Sequence, residues 1–191
     1  FVVNTKSANI EIVKLTTVDK TRQYSEVICK NLEAELLENS SDSAEPINQA
    51  IDAGRIMLAA DSLGASQIMI EKAVDYAKER KQFGRAIGSF QAVKHMCAEM
   101  AADIEPCYAL VWHAAHCHDH SPDEARLMAC HAKAHVSEIS KGIAKKATEV
   151  HGGMGFTDLL GLHYWFKRIG LNRQILGSPE LVREEAYKTQ V

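Results

Sequence analysis

The sequence has little net charge and no long apolar run, and both absences exclude classes of function. Its 191 residues carry 22 lysines and arginines against 25 aspartates and glutamates, a formal net charge of −3. Binding to nucleic acid through overall charge is therefore not expected. No apolar stretch approaches the roughly 20 residues that span a bilayer, so no membrane partner is predicted. The hydrophobic fraction of 46% is typical of a globular domain and excludes an intrinsically disordered chain.

The cysteines are odd in number and show no pairing pattern. No C-x-x-C motif occurs, so neither a zinc ribbon nor a redox pair is predicted. We interpret the cysteines as small buried apolar side chains in a reducing compartment, which predicts the bacterial cytoplasm or the mitochondrial matrix and not secretion. No signal-peptide pattern and no initiator methionine stand at Phe1, so the chain is expected to begin inside a longer protein. The five are Cys29, Cys97, Cys107, Cys117 and Cys130.

Two groups of histidines suggest a metal site at first sight. They are His113, His116, His118 and His120, and then His131 and His135. On a helix, His118 and His120 are expected to point away from the other two members of the first group. Zinc needs three or four convergent ligands, and no H-E-x-x-H motif occurs, so no metal site is predicted. A solvated helix end, or packing that responds to pH, explains these histidines instead.

The first part of the chain has the pattern of β-structure. Residues 10–15 and 24–29 are β-like runs, and residues 19–22 between them have the composition of a turn. So few strands do not form a stable sheet alone, so residues 1–38 are predicted to be the end of a larger β-domain. The polar residues 39–45 are predicted to be a linker.

The rest of the chain, residues 46–191, has helical periodicity. Helices are predicted over 46–80, from Ser89 to about His118, from Ser121 to about Val150, from about Leu160 to Leu171, and from Ser178 onward. Ser121 is expected to cap its helix, because proline follows it and a glutamate stands three residues later. Ser178-Pro-Glu repeats this start signal. The fold class is therefore mainly α, an up-down bundle of long helices with a short β remnant at the N-terminus.

The first helix carries apolar residues on two sides, which is typical of a helix at the centre of a bundle. One predicted side contains Ile47, Ile51, Leu58, Ala65 and Ile68, and the other contains Met57, Ala60, Met69 and Ala73. Both sides are expected to be buried against neighbouring helices.

Two segments between helices have residues that suit an anionic ligand with an aromatic ring. In the loop 80–88, arginine offers a planar set of donors that fits pyrophosphate, and Phe83 offers an apolar face for a flat ring. In the segment 149–156, three glycines expose backbone N–H groups, which bind anions. Each segment alone also suits an ordinary inter-helix turn. Together they predict two sides of one phosphate-containing ligand.

The amino-acid sequences of these two segments resemble those of the acyl-CoA dehydrogenase family. Residues 73–95 match its most recognisable segment, and residues 150–157 match its second signature. The resemblance implies that residues 45–190 form the C-terminal four-helix domain of that family, and that residues 1–38 end its middle β-domain. It also implies FAD-dependent oxidation of acyl-CoA thioesters to trans-2-enoyl-CoA. A carboxylate takes the α-proton, hydride passes to the flavin, and electrons go to an electron-transfer flavoprotein.

The resemblance also implies a binding site shared between subunits. Several residues would contact the FAD of a partner subunit at its pyrophosphate and adenosine, which fits a homodimer or a tetramer. Arg55 would lie near the CoA and substrate end of the first helix. Without the missing β-domain, this chain is expected to bind FAD poorly. The implied cofactor-binding residues are Arg80, Gln82, Phe83, Gln91, Glu149, His151, Gly152 and Gly153.

The sequence departs from the family at the catalytic base. Gly177 stands where the base glutamate is usual, and Gly54 stands at the alternative position. Glu149 stands where the family often has glutamine, and its charge would repel a pyrophosphate. Asp61, two helical turns beyond Gly54, and Glu180 are the remaining local candidates for the base, although both residue types at these places also suit structural roles.

Two functions remain open on this basis. The first is an FAD-dependent acyl-CoA dehydrogenase whose base is Asp61 or comes from a neighbouring subunit. The second is a non-catalytic partner subunit of a heteromeric enzyme, which supplies FAD and oligomer contacts only. The sequence of residues 151–157 is similar to that of the bacterial branch of the family that acts on bulky acyl-CoAs such as sterol side-chain thioesters. Heteromeric enzymes encoded by two genes occur in that branch.

Overall fold

The computed structural model describes residues 1–6, 8–37 and 44–190. Five of the seven predicted linker residues, 39–43, lie outside these ranges. The strands are β1 Ile10–Leu15, β2 Tyr24–Cys29, β3 Lys81–Gln82 and β4 Arg85–Ala86. The helices are α1 Glu45–Glu79, α2 Gln91–His120, α3 Pro122–His151, α4 Leu162–Gln174 and α5 Pro179–Lys188, with 3₁₀ turns at Ile87–Ser89 and Gly152–Phe156. The mainly α fold class is confirmed.

Helices α1 and α3 form the centre of the bundle. Helix α1 packs against α2, α3 and α4, and α3 also packs against α5. Because the three longest helices lie side by side, their facing side chains form one continuous apolar core. The largest fully buried apolar side chains are Met69, Met100, Val136, Ile143, Leu162, Ile169 and Val182. No helix in the described ranges is both long and apolar enough to cross a membrane.

The buried face of α1 differs from the predicted one. Ile47 is 65% exposed and Met57 is 69% exposed, although both were expected in the core. Polar residues occupy part of the buried face instead, and they bond inside the bundle. Ser66, for example, donates to the Ser62 carbonyl at 2.8 Å. Apolar periodicity fails here because a central helix can bury polar groups when they find partners. The buried polar residues of α1 are Asp52, Arg55, Ser62 and Ser66.

The three serines predicted to begin helices have different outcomes. Ser89 lies in a 3₁₀ turn before the N-cap position of α2, and its hydroxyl donates to the Ala86 carbonyl at 2.7 Å. Ser121 stands at the N-cap of α3 but makes no side-chain cap bond, so the predicted capping bond there is wrong. Ser178 caps α5 as predicted, because its hydroxyl accepts from the Leu181 N–H at 3.5 Å.

The β-part is a two-stranded antiparallel ribbon joined to the bundle by its turn. Strands β1 and β2 pair from Ile10 with Cys29 to Leu15 with Tyr24. In the turn, Arg22 bonds to Asp61 on α1 at 2.7 Å. Most strand residues are exposed, so the ribbon buries little of its own surface. Such a ribbon is only marginally stable alone. That residues 1–38 end a larger β-domain stays a prediction.

Candidate functional site

A cavity of about 450 Å³ lies where the end of α1, the β3–β4 hairpin and the end of α3 meet. Six of the eight predicted cofactor-binding residues line it, although they come from segments far apart in the chain. The structure therefore brings the arginine loop and the glycine-rich junction together at one place. The lining residues are Tyr76, Arg80, Gln82, Ile87, Glu149, Val150, His151, Gly152, Gly153 and Met154.

The predicted loop after α1 is a tight hairpin. Phe83 and Gly84 connect β3 to β4, and both have positive φ, +52° and +77°. A two-residue turn of this kind favours glycine, so a phenylalanine there stores backbone strain. Phe83 is 92% exposed and meets Phe90 edge-on at 6.2 Å between ring centroids. The hairpin thus presents an aromatic ring to solvent beside the cavity, while Gln91 begins α2 outside the residues that line it.

The glycine-rich junction turns the chain at the end of α3. Gly152 has φ +57° and ψ −141°, a conformation that favours glycine. At Gly155 a Cβ would lie 2.9 Å from the Thr148 carbonyl oxygen, so packing excludes a side chain there. At Gly153 neither backbone conformation nor packing requires glycine, because φ is not positive and a Cβ added there would meet no atom within 4 Å. Its bare backbone is therefore available for close approach by a ligand.

Opposite charges line the cavity without neutralising each other. The Arg80 guanidinium makes no hydrogen bond or ion pair within the described part of the chain, and Arg80 and Glu149 are both exposed. Gln82 donates to the Lys81 carbonyl at 2.8 Å. An exposed guanidinium beside an open glycine backbone is a donor set for a phosphate group, and the Glu149 carboxylate opposes an anion.

His151 holds the end of α3 against α1. Its ring stacks on Tyr76 at 4.6 Å between centroids, and Nδ1 lies 2.7 Å from the Ala147 carbonyl oxygen. Because a carbonyl oxygen only accepts, a hydrogen bond at this distance requires a proton on Nδ1. His151 is 5% exposed, so its main contacts are internal. Sequence reasoning missed Tyr76, since one aromatic residue within a helix gives no separate signal.

The two usual base positions are crowded by neighbouring side chains, most of them apolar, although the Arg55 guanidinium also lies 3.7 Å from a Cβ added at Gly177. A Cβ on Gly54 would lie 2.5 Å from Leu176 Cδ1, so the leucine fills the space beside that glycine. Gly177, the next residue, has φ +105°, and a Cβ there would lie 2.9 Å from Val182 Cγ2. Neither place has room for a carboxylate without rearrangement of these side chains.

Asp61 is held by internal partners on both carboxylate oxygens. Oδ1 accepts from Arg22 at 2.7 Å, and Oδ2 accepts from the Asn172 amide at 2.6 Å. Arg168 approaches Oδ1 at 3.7 Å. These contacts join the β-turn, α1 and α4, and they favour the structural alternative for Asp61.

Glu180 is an exposed partner of Arg173. The two bond at 2.7 Å. Hydrogen bonds from Ser178, from its own backbone N–H and from Arg173 lower the pKa of Glu180 to about 2. A carboxylate with so low a pKa binds a proton weakly, which makes it a poor general base.

Arg55 is engaged within the protein and is 4% exposed. Its Nη1 lies 2.8 Å from Glu185 and 3.4 Å from Asp52, and its Nε donates to the Leu176 carbonyl at 3.0 Å. The hydrogen bond from Arg55 lowers the pKa of Glu185. The arrangement favours a structural role for Arg55, and its contact with a substrate stays a prediction.

At the far end of α2 the histidines lie closer together than predicted. The rings of His116 and His120 are 4.8 Å apart between centroids, so the expectation that His120 points away from His116 is wrong. A helix returns to the same side after four residues, which accounts for the contact.

Comparison with known proteins agrees with this fold. The family described as "Acyl-CoA dehydrogenase, C-terminal domain" matches residues 45–189. Acyl-CoA dehydrogenase IpdE2 of Mycobacterium tuberculosis is 34% identical over 88% of this chain and 48% of its own length. Caffeyl-CoA reductase-Etf complex subunit CarC of Acetobacterium woodii is 41% identical over 56% of this chain and 28% of its own. The structure of butyryl-CoA dehydrogenase from Megasphaera elsdenii has a TM-score of 0.92 at 22% identity, and the match covers 100% of this chain and 51% of that one.

The long helices, the hairpin and the glycine-rich junction make up a helical domain of the kind that this family model describes. Since the family match covers most of its residues, the chain belongs to the acyl-CoA dehydrogenase family. It spans about half, or less, of the length of these relatives.

Proposed function

We propose that this chain is the C-terminal part of an FAD-dependent acyl-CoA dehydrogenase, which introduces an α,β double bond into an acyl-CoA thioester. One observation carries the proposal: Arg80 and the open backbone at Gly153 line the same cavity. Relatives described as acyl-CoA dehydrogenases support the reaction class. FAD supplies the hydride acceptor in such a reaction.

The residues present fit the phosphate-bearing part of FAD. The exposed Arg80 guanidinium would bind the pyrophosphate, and Gly153 would let it approach the backbone. Gln82 would donate from the hairpin and Gln91 from the start of α2, next to the cavity lining, and the exposed Phe83 ring would contact a flat ring system. Glu149 opposes the phosphate charge and would lie at the edge of the ligand.

The cavity is open to solvent, which supports binding of FAD between subunits. We therefore propose a homodimer or a tetramer in which each hairpin reaches the FAD of a partner. Electron-transfer flavoprotein is proposed as the electron acceptor, since CarC is described as a subunit of an Etf complex. The five free cysteines fit the bacterial cytoplasm or the mitochondrial matrix as its location.

A second candidate function is a non-catalytic partner subunit. Leu176 fills the space beside Gly54, and the local acids Asp61 and Glu180 are bonded to arginines. These contacts favour a base supplied by another chain. In that case this chain would supply only FAD-binding and oligomer contacts within a heteromer.

Reconstitution of the full-length protein separates the two candidates. The protein is mixed anaerobically with acyl-CoA thioesters, alone and with the product of a neighbouring gene, and bleaching of the flavin absorbance is followed. Bleaching without a partner identifies a self-sufficient dehydrogenase. Bleaching only with the partner identifies the heteromeric subunit, and FAD binding without bleaching in either mixture would contradict both.

The base is tested in whichever preparation is active. Loss of turnover in Asp61→Asn, with retained thermal stability and FAD content, identifies Asp61 as the base. Full turnover in that variant removes Asp61 from the mechanism. Glu180→Gln serves as the matched comparison, because its carboxylate is also bonded to an arginine.

A further inference from the structure

Three side chains of metal-binding type converge at the turn between α2 and α3, at the opposite end of α3 from the cavity. His113 and Cys117 lie one helical turn apart on α2, and Glu124 lies in the first turn of α3. Cys117 Sγ is 3.7 Å from His113 Nε2 and 3.9 Å from Glu124 Oε2. One potential ligand atom from each of the three residues lies within 4.8 Å of the others.

We propose that His113, Cys117 and Glu124 bind a Zn²⁺ ion. Thiolate, imidazole and carboxylate are the three ligand types that zinc takes in proteins, and a tetrahedral site with bonds of about 2.0–2.3 Å separates its ligand atoms by roughly 3.3–3.8 Å. The two measured Sγ distances are close to this range. His113 and Glu124 are exposed, so their side chains have room to rotate toward a shared ion.

The accessibility of the three residues suits such a site. Cys117 is 1% exposed, whereas His113 and Glu124 are exposed, so an ion can enter from solvent and rest on a buried sulfur. The mixed nitrogen, sulfur and oxygen set favours zinc over magnesium or calcium, which prefer oxygen ligands. Water would occupy the fourth position.

The site was missed in the sequence because its ligands are not in one motif. Glu124 joins the pair on α2 only because the chain reverses at Ser121 and brings the first turn of α3 beside the last turns of α2. A Zn²⁺ ion here would link these two helices at their turn. Helix α3 separates this turn from the proposed FAD site by about 40 Å, at about 1.5 Å per residue, so the proposal does not depend on the proposed function.

The experiment is a zinc titration of the purified full chain after removal of metal with a chelator. Competition with a chromophoric chelator is expected to show one bound Zn²⁺ per chain. His113→Ala and Cys117→Ser should each weaken binding by at least roughly tenfold, the lower end of what the loss of a supporting partner costs in metal sites. The matched controls His118→Ala and Cys97→Ser, which change the same residue types outside the cluster, should bind as the wild type does.

Cobalt provides a second readout that does not depend on unchanged stability. Co²⁺ bound at the site should show thiolate charge-transfer absorption, and Cys117→Ser should abolish that band while a folded circular dichroism spectrum is retained. Binding that survives in Cys117→Ser but is lost in the His116→Ala/His120→Ala double variant would overturn the proposal, because it would identify adventitious binding by the exposed histidine pair. Absence of stoichiometric binding would overturn it as well.

Discussion

Replacement of Lys133 by methionine is expected to remove a specific pH dependence of stability. Lys133 is 1% exposed on α3, and its ammonium group donates to the Asn172 carbonyl. Burial, and then the nearby charges of Arg55 and Arg173, lower the pKa of Lys133 from 10.5 to about 8. Methionine keeps most of the side-chain volume and carries no charge, so Lys133→Met changes mainly the electrostatic contribution.

The sign of the effect follows from proton binding. The unfolded chain holds the Lys133 proton up to higher pH than the folded chain does, so the free energy of unfolding rises as pH increases through the folded pKa of about 8. Between pH 7 and pH 10 the wild type should gain about 2.5 kcal/mol from this group. At pH 7 the free energy of unfolding of Lys133→Met should differ little from that of the wild type. The variant removes a penalty of about 3 kcal/mol for burying a charge, and this offsets the loss of a charged hydrogen bond worth about 1.5–3 kcal/mol.

Urea unfolding followed by circular dichroism across this pH range measures the difference. The stability of Lys133→Met should fall behind that of the wild type by about 2.5 kcal/mol at pH 10, while the other titrating groups cancel in the comparison. Lys141→Met, an exposed lysine on the same helix, is the control and should follow the wild type. Parallel pH curves for the wild type and Lys133→Met would refute the reasoning.

Two further predictions concern stability. Gly177→Ala should lower the free energy of unfolding by about 1–3 kcal/mol, because φ is +105° at that position. Gly170→Ala should not destabilise the protein, because a Cβ added there meets nothing within 4 Å. Equal urea midpoints for the two variants would contradict this prediction. Arg55→Met should cost about 3–5 kcal/mol, because it leaves the buried Asp52 carboxylate without its arginine partner and leaves Glu185 with Arg126 alone. Arg55 lowers the pKa of Glu185 in the folded protein, so this ion pair stabilises the fold above the unfolded pKa of Glu185 and stops doing so as pH falls through the folded pKa. The difference in unfolding free energy between wild type and Arg55→Met should therefore shrink in acid. A pH-independent difference would argue against the pairing.

Sequence reasoning located the helices well because their ends carry local signals. The start of α5 at Ser178-Pro-Glu is one case, and the break after α3 at the glycines is another. Local signals did not identify which face of α1 is buried. Arg55 and Ser62 are in the interior because partners on other helices and loops satisfy them, and no periodicity within one helix contains that information.

The candidate site was predictable only in part, because local signals identify some of its residues but not the contacts between separate segments. Arg80 and Gly153 could be predicted from the sequence, because arginine and glycine at such positions suit phosphate binding, and the structure places both at one cavity. The strained Phe83 turn, the stacking of Tyr76 and the approach of Glu124 to Cys117 depend on how separate segments pack. Such contacts follow from three-dimensional packing and not from spacing along the chain.

The flavin content of the purified full-length protein tests the central claim most directly. Arg80→Ala removes the guanidinium that lines the cavity, whereas Lys81→Ala removes a neighbouring positive charge that does not line it. We expect Arg80→Ala to lose most of its bound FAD while remaining folded, and Lys81→Ala to keep one FAD per protomer. Full FAD occupancy in Arg80→Ala would contradict the account.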